Sequence, residues 1–337
     1  MPIQLTPLDE RHFDAWREAT RARFIALRQE SGMLRGDDAV IDADAFLDQL
    51  LPVGVATEAS SILCIVDDGR EIGTLWLIAT GGILHLVDLA VDAVPDRVVL
   101  DGLFEAITTT ARRNGVERVS VSLYSTDAGG RAFVDGRGFR CASIRMLLEP
   151  LPDREATSPD AVSLGSDGPV TLLPMTEPRF KTFAAESEAA FAADLVASGR
   201  YSEPDAQVES KRQMALELPD GLDSAGQELF TAHAEGAGDD AEVGVLWIGM
   251  RVRDGHPHAF ILDIEVAEDH RRRGFGRGIM LAAEREARRL GADSIGLHVF
   301  GFNDGAIRLY EGLGYRRVEE RFLLDVADDD AGRDARE

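Results

Sequence analysis

Arg271-Arg272-Arg273-Gly274-Phe275-Gly276-Arg277-Gly278 lies between an apolar run, Phe260 to Val266, and an amphipathic run, Ile279 to Leu290. The first run reads as a strand. The second repeats apolar residues at helical spacing and stops at Gly291, a residue suited to ending a helix. An arginine-rich, glycine-bearing turn that leaves a strand and opens a helix makes an anion site. The first N–H groups of the helix lack partners, the macrodipole favours negative charge, and glycines let a phosphate approach the backbone. The two common nucleotide motifs do not fit. The dinucleotide fingerprint needs a third glycine where Ile279 stands, and a P-loop needs a lysine, whereas Lys181 and Lys211 are both far from this turn.

Downstream, Ser294-Ile295-Gly296-Leu297-His298-Val299-Phe300 reads as a strand. Asn303 then precedes a short helical pattern, Ala306, Ile307, Leu309, Tyr310 and Leu313, closed by Gly314 and a final strand from Arg317 to Val326. In order and spacing, this region resembles the GNAT superfamily of N-acyltransferases, which use acetyl-CoA or another acyl-CoA. Their Arg/Gln-x-x-Gly-x-Gly/Ala loop is similar to Arg271 to Gly276. Their Asn, Ala-x-x-x-Tyr and Gly-Tyr/Phe are similar to Asn303, Ala306 to Tyr310 and Gly314-Tyr315.

The chain also repeats itself. Ala111-Arg112-Arg113-Asn114-Gly115 is mirrored by Ala287-Arg288-Arg289-Leu290-Gly291, and Gly136-Arg137-Gly138-Phe139-Arg140 by Gly312-Leu313-Gly314-Tyr315-Arg316 at the same offset. Gly73-Thr74-Leu75-Trp76 pairs with Gly244-Val245-Leu246-Trp247, and Leu51-Pro52-x-Gly54 with Leu218-Pro219-x-Gly221. The resemblance therefore implies an α+β protein of two tandem GNAT-like domains, each a mixed, mostly antiparallel twisted sheet flanked by helices. The expected layout is a degenerate copy over 1–150, a Pro/Ser/Asp/Gly-rich linker over 151–168, a catalytic copy over 169–327 and a charged, disordered tail over 328–337. The first copy has Asp96 to Asp101 where the anion loop would be, Asp127 for Asn303 and Val134 for Tyr310, so only the second carries the motifs.

In the second copy, Arg179 to Ser198 and Glu203 to Leu218 read as helices, the latter capped by Ser202. Strands are expected around Leu229 to His233, Val243 to Met250 and Phe260 to Val266. The resemblance implies that the fourth and fifth strands splay and that the pantetheine arm lies along the fourth like an added strand. Main chain at Ile264 to Val266 would hold that arm. The loop of Arg271, Arg272, Arg273, Gly274, Phe275, Gly276 and Arg277 would hold the pyrophosphate, with Asn303 and Tyr310 completing the cofactor site.

Acyl transfer to an amine needs the amine deprotonated and the departing thiolate protonated. The family uses the tyrosine matched by Tyr310 as the acid. The candidates for the base are His298, on the fifth strand, and Glu265 or Asp263, which alternation places on one face of the fourth. A packed strand histidine is the plain alternative for His298. Asp88, the first-copy counterpart of Asp263, favours a structural role for that position.

Composition bounds the rest. The chain has 337 residues, enough for two domains, with 45% apolar residues, 28% charged residues and a net charge of −24. The acidic balance argues against a nucleic-acid footprint and would steer a cationic acceptor, the plain alternative being that it serves solubility alone. Without a membrane-length apolar run or a signal sequence, a cytoplasmic location is expected. Cys64 and Cys141 have no metal spacing; buried thiols are expected rather than a disulfide, and no metal is expected. The implied function is acetyl transfer from acetyl-CoA to a primary amine of a small molecule, by a monomer or homodimer. The alternatives are a non-catalytic acyl-CoA-binding or regulatory protein and a tandem acetyltransferase of the mycothiol-synthase kind.

Overall fold

A computed structural model describes residues 3–91, 93, 95–153, 170–199, 201–234 and 242–326. In chain order the elements are β1 (Gln4–Pro7), α1 (Phe13–Ser31), α2 (Gly36–Leu50), β2 (Ser60–Asp67), β3 (Arg70–Thr80), β4 (Ile83–Val91), α3 (Arg97–Arg113), β5 (Arg118–Tyr124), α4 (Ala128–Val134) and β6 (Arg140–Leu148). The same succession follows as β7 (Val170–Pro174), α5 (Glu177–Ala197), α6 (Glu203–Glu217), β8 (Gln227–Ala234), β9 (Glu242–Arg253), β10 (His256–Val266), α7 (Phe275–Arg289), β11 (Ser294–Phe300), α8 (Asp304–Leu313) and β12 (Arg316–Asp325).

The chain divides into two compact units. The first draws its described residues from Met1–Ala142 and Val318–Glu337, the second from Ser143–Arg317. Strands run in the order β1-β2-β3-β4-β5-β12 in the first unit and β7-β8-β9-β10-β11-β6 in the second. Strand pairs are antiparallel except β4–β5 and β10–β11, so each sheet is mixed and mostly antiparallel, as the α+β reading expects.

The boundaries expected at 150 and 327 are not those of the units. Residues of β6 close the second sheet, with Ile295–Phe300 paired to Ser143–Leu148. Residues of β12 close the first, with Glu319–Asp325 paired to Arg118–Tyr124. Each repeat thus completes the other's sheet with its last strand. Of the expected linker only Leu151–Asp153 is described, and the expected disordered tail lies outside the described residues.

The repeated residues recur because they solve the same packing problem twice. Trp76 on β3 stacks edge-on to Trp16 of α1, and Trp247 on β9 does so to Phe183 of α5. Each indole N–H finds an acceptor 2.8 Å away, Ser60 Oγ in the first unit and Gln227 Oε1 in the second, as a buried indole requires. At Gly73 and Gly244 an added Cβ would lie 2.1 Å from a carbonyl oxygen of the neighbouring strand, so neither position admits a side chain. In β3, Leu75 and Leu77 join a core with Leu103 and Ile107 of α3, while Trp76 and Ile78 join another with Trp16 and Leu47. Successive residues point to opposite faces, so the sheet is covered on both. The second unit places Ile279, Ala283 and Ala287 of α7 in its interior, and Phe183 and Trp247 in a separate cluster. Cys64 and Cys141 form no disulfide. Among the described residues, no helix is long and apolar enough to cross a membrane.

Candidate active site

The parallel pairing of β10 with β11 lasts only from His258–Ile261 against Ser294–Leu297. Beyond that point β10 stays with β9 as far as Val266 and β11 stays with β6 as far as Phe300, so the two strands part. A bulge at Leu262, where the register with β9 shifts between Ile261 and Asp263, sits where the parting begins. The gap opens into a cleft of about 270 Å³ in the second unit, walled by α5, α6, β10, β11 and α8.

At one end of β10 lies the arginine-rich turn. Gly274 is the N-cap of α7 with φ 87°, a left-handed conformation, and it offers no side chain to the N–H groups of the first turn. A Cβ at Gly276 would meet only Leu309 and Val266 at 3.5 and 3.6 Å, which is ordinary contact. Packing therefore does not demand glycine there, and its absence of a side chain leaves room over the helix start. The corresponding helix of the first unit, α3, is capped by Asp96, whose Oδ1 accepts from the Val99 N–H at 3.0 Å. The first unit thus supplies its own anion at a place where the second leaves the helix uncapped. Arg271 ties the turn to the strand, donating from Nε to the Val266 carbonyl at 3.0 Å and facing Glu265 at 3.4 Å. Arg273 lies against the Phe275 ring and within 3.3 Å of His270 Nδ1, and Arg272 takes a left-handed φ of 60°.

Tyr310 projects from α8 into the cleft and is only 6% exposed. Burial, reinforced by the charge of Asp263, pushes its phenol up to about 12, so it holds its proton throughout neutral pH. Asp263 lines the cleft and accepts a 2.6 Å hydrogen bond from Ser187 Oγ of α5. Burial raises its pKa, the hydroxyl opposes that rise, and the charges of Glu265 and Asp194 add to it. A neutral phenol and a proton-accepting carboxylate on one cleft can move a proton each way.

The structure brings some expected site residues together and separates others. Ile264, His298, Asn303 and Tyr310 line the cleft; His298 is exposed on its wall. Glu265 does not. It is exposed and turned to Arg271, because it stands beyond the bulge, within reach of the turn. Val266 and Arg271 to Arg277 sit at the strand end and helix start, outside the cleft lining. Asn303 has local work as well: its Oδ1 caps α8 at the Ala306 N–H, 3.2 Å away, as Asp127 caps α4 at Gly130.

Comparison with known proteins gives the family. A sequence model described as the acetyltransferase (GNAT) family matches residues 201–315. The uncharacterized N-acetyltransferase YdgE of Bacillus subtilis (strain 168) is 31% identical over 152 residues, 45% of this chain and 94% of that protein. The chain belongs to the GNAT family. It is an N-acetyltransferase. A second B. subtilis GNAT relative, the uncharacterized N-acetyltransferase YycN, is 29% identical over 150 residues, 44% of this chain and 94% of its own. The mycothiol acetyltransferase of Corynebacterium aurimucosum is 29% identical over 100 residues, 30% of this chain and 33% of that protein.

Sequence reasoning about this GNAT chain did not name the residues that α5 adds to the cleft beside Phe191, namely Ser187, Ala190 and Asp194. These are small or acidic residues without a motif. Their signal lay in the repeat, since the first unit holds Thr20, Arg23 and Leu27 at the matching places of α1.

Proposed function

We propose that the second unit transfers an acetyl group from acetyl-CoA to a primary amine of a small molecule. The observation carrying this reading is a buried, neutral Tyr310 facing Asp263 where β10 and β11 part. Acetyl-CoA supplies an activated thioester. The N–H groups at the start of α7, which no side chain caps, suit its pyrophosphate, with Arg272 and Arg277 adding positive charge nearby. Main chain from Ile264 to Val266, no longer paired to β11, suits an extended amide-bearing arm. Asn303 stands beside that path.

At the reacting end Tyr310 donates its proton to the departing sulfur as the C–S bond breaks and the N–C bond forms. Two protons leave the amine nitrogen. One restores Tyr310, and the other passes through Asp263 or His298 to solvent. Of the three expected bases these two face the cleft, and Glu265 does not.

Calorimetric titration with acetyl-CoA tests the reading. One site per chain is expected, abolished by Gly276→Glu, which sets a carboxylate where the phosphates would lie. Tyr310→Phe is expected to keep that affinity while lowering kcat by roughly 10²–10⁴. Two sites per chain, or an unimpaired Tyr310→Phe enzyme, would overturn the assignment.

A further inference from the structure

The first unit contains the same cleft in a closed state. Asp88, the counterpart of Asp263, is 7% exposed and carries a two-pronged ion pair with Arg23 of α1, Nε to Oδ1 at 3.1 Å and Nη2 to Oδ2. What remains of that cleft is about 30 Å³, lined by Phe24, Leu27, Asp88, Tyr124 and Asp127 among others. Matching contacts set the two units in correspondence. Gly54 packs on Phe13 as Gly221 packs on Phe180, and Ser60 holds Trp76 as Gln227 holds Trp247. Counting along α1 and α5 from Phe13 and Phe180, Arg23 falls on Ala190 and Leu27 on Asp194. Ala190 is too short to reach Asp263, which has the Ser187 hydroxyl in place of a guanidinium, and the cleft opens to about 270 Å³.

Within one chain, then, the same strand carboxylate holds a guanidinium in one unit and faces an open cleft in the other. We infer that the acceptor is a small dication, with its reacting ammonium on Asp263 where the first unit puts the Arg23 guanidinium, and its second positive charge on Asp194. Among the described residues, three carboxylates line the cleft, Asp194, Glu217 and Asp263, and no lysine or arginine does. Glu217 is already engaged by Arg251 and by the Gln227 amide at 2.8 Å. Asp194 has no side-chain partner among the described residues and replaces the leucine of the closed cleft. Burial raises the cost of ionising both carboxylates, and the charge of Asp194 adds to it at Asp263, which a ligand cation between them relieves. This specificity rests on the acetyl transfer proposed above.

The test uses three acceptors of one chain length that differ only in the distal group: 1,4-diaminobutane, n-butylamine and 4-aminobutyrate. Acetyl-CoA binding is measured calorimetrically on the same preparations. For the wild type, kcat/KM is expected to exceed that for n-butylamine by about tenfold or more with the diamine and to fall below it with the amino acid. Asp194→Leu is expected to bring the diamine-to-butylamine ratio to about one. Ala190→Arg, which rebuilds the Arg23 plug, is expected to stop transfer to all three while acetyl-CoA still binds. If acetyl-CoA binds but the three amines react alike, the amino acid is preferred or none reacts, the dication is wrong. A wild-type ratio that survives Asp194→Leu, or undiminished transfer by Ala190→Arg, overturns it as well. Failure of the wild type to bind acetyl-CoA is a different result, and it removes the acetyl-transfer reading itself.

Discussion

A phenol held at about 12 has a consequence for pH. An ordinary tyrosine titrates near ~10 and loses its acid function as the pH rises through that value. Tyr310 is buried beside Asp263, so its proton is retained until far higher pH. At saturating substrates, kcat is therefore expected to show no alkaline fall between about pH 8 and 10. A fall in that window that vanishes in Tyr310→Phe would mean the phenol is not held by burial. On the acid side the raised carboxyl of Asp263 must lose its proton first, so kcat/KM for the acceptor rises with pH, starting above the ordinary carboxylate range. Asp263→Asn is expected to remove that limb, as read from a pH–rate profile. Tyr310 was legible in the sequence because it lies at a fixed spacing from Asn303, between a helix cap and Gly314. Glu265 misled because alternation puts it on the same face as Asp263, and alternation says nothing about where a strand leaves its neighbour. The bulge at Leu262 and the reach of Arg271 decide that.

Helix ends explain why so much of the element layout could be read in advance. Ser202, Asn303 and the glycines at 274, 291 and 314 each mark a terminus by their own chemistry, and the strand Ser294–Phe300 was delimited by them. The same chemistry separates two roles at Asn303. Asn303→Ala loses the cap on α8 and is expected to cost about 1 kcal/mol of stability in denaturant unfolding. Asn303→Asp keeps an acceptor at the cap, as Asp127 does on α4, and is expected to retain stability. If the amide also serves the cofactor, Asn303→Asp weakens acetyl-CoA binding in calorimetry; equal affinity would leave the residue as a cap alone.

Across the whole molecule, the division into units escaped the sequence. Both β6 and β12 follow a Gly-aromatic-Arg turn, and nothing local tells a strand which sheet edge it will join, because pairing is decided by residues far away in the chain. A fragment of residues 143–317 contains every strand of the second unit. It is expected to be monomeric by size-exclusion chromatography and to bind acetyl-CoA. A fragment of residues 169–327 follows the sequence repeat instead. It lacks the partner of β11 and carries Val318–Asp325 without β5, so two unpaired strand edges are expected to drive it into aggregates. If the second fragment behaves as well as the first, the strand exchange contributes little. The exchange also sets a timetable during translation. When the ribosome has made Arg317, Ser143–Leu148 is already available and the second unit has all its strands. The first unit, whose synthesis began earlier, still waits for the segment ending at Asp325. The half of the protein that is made last is the half that can finish folding first.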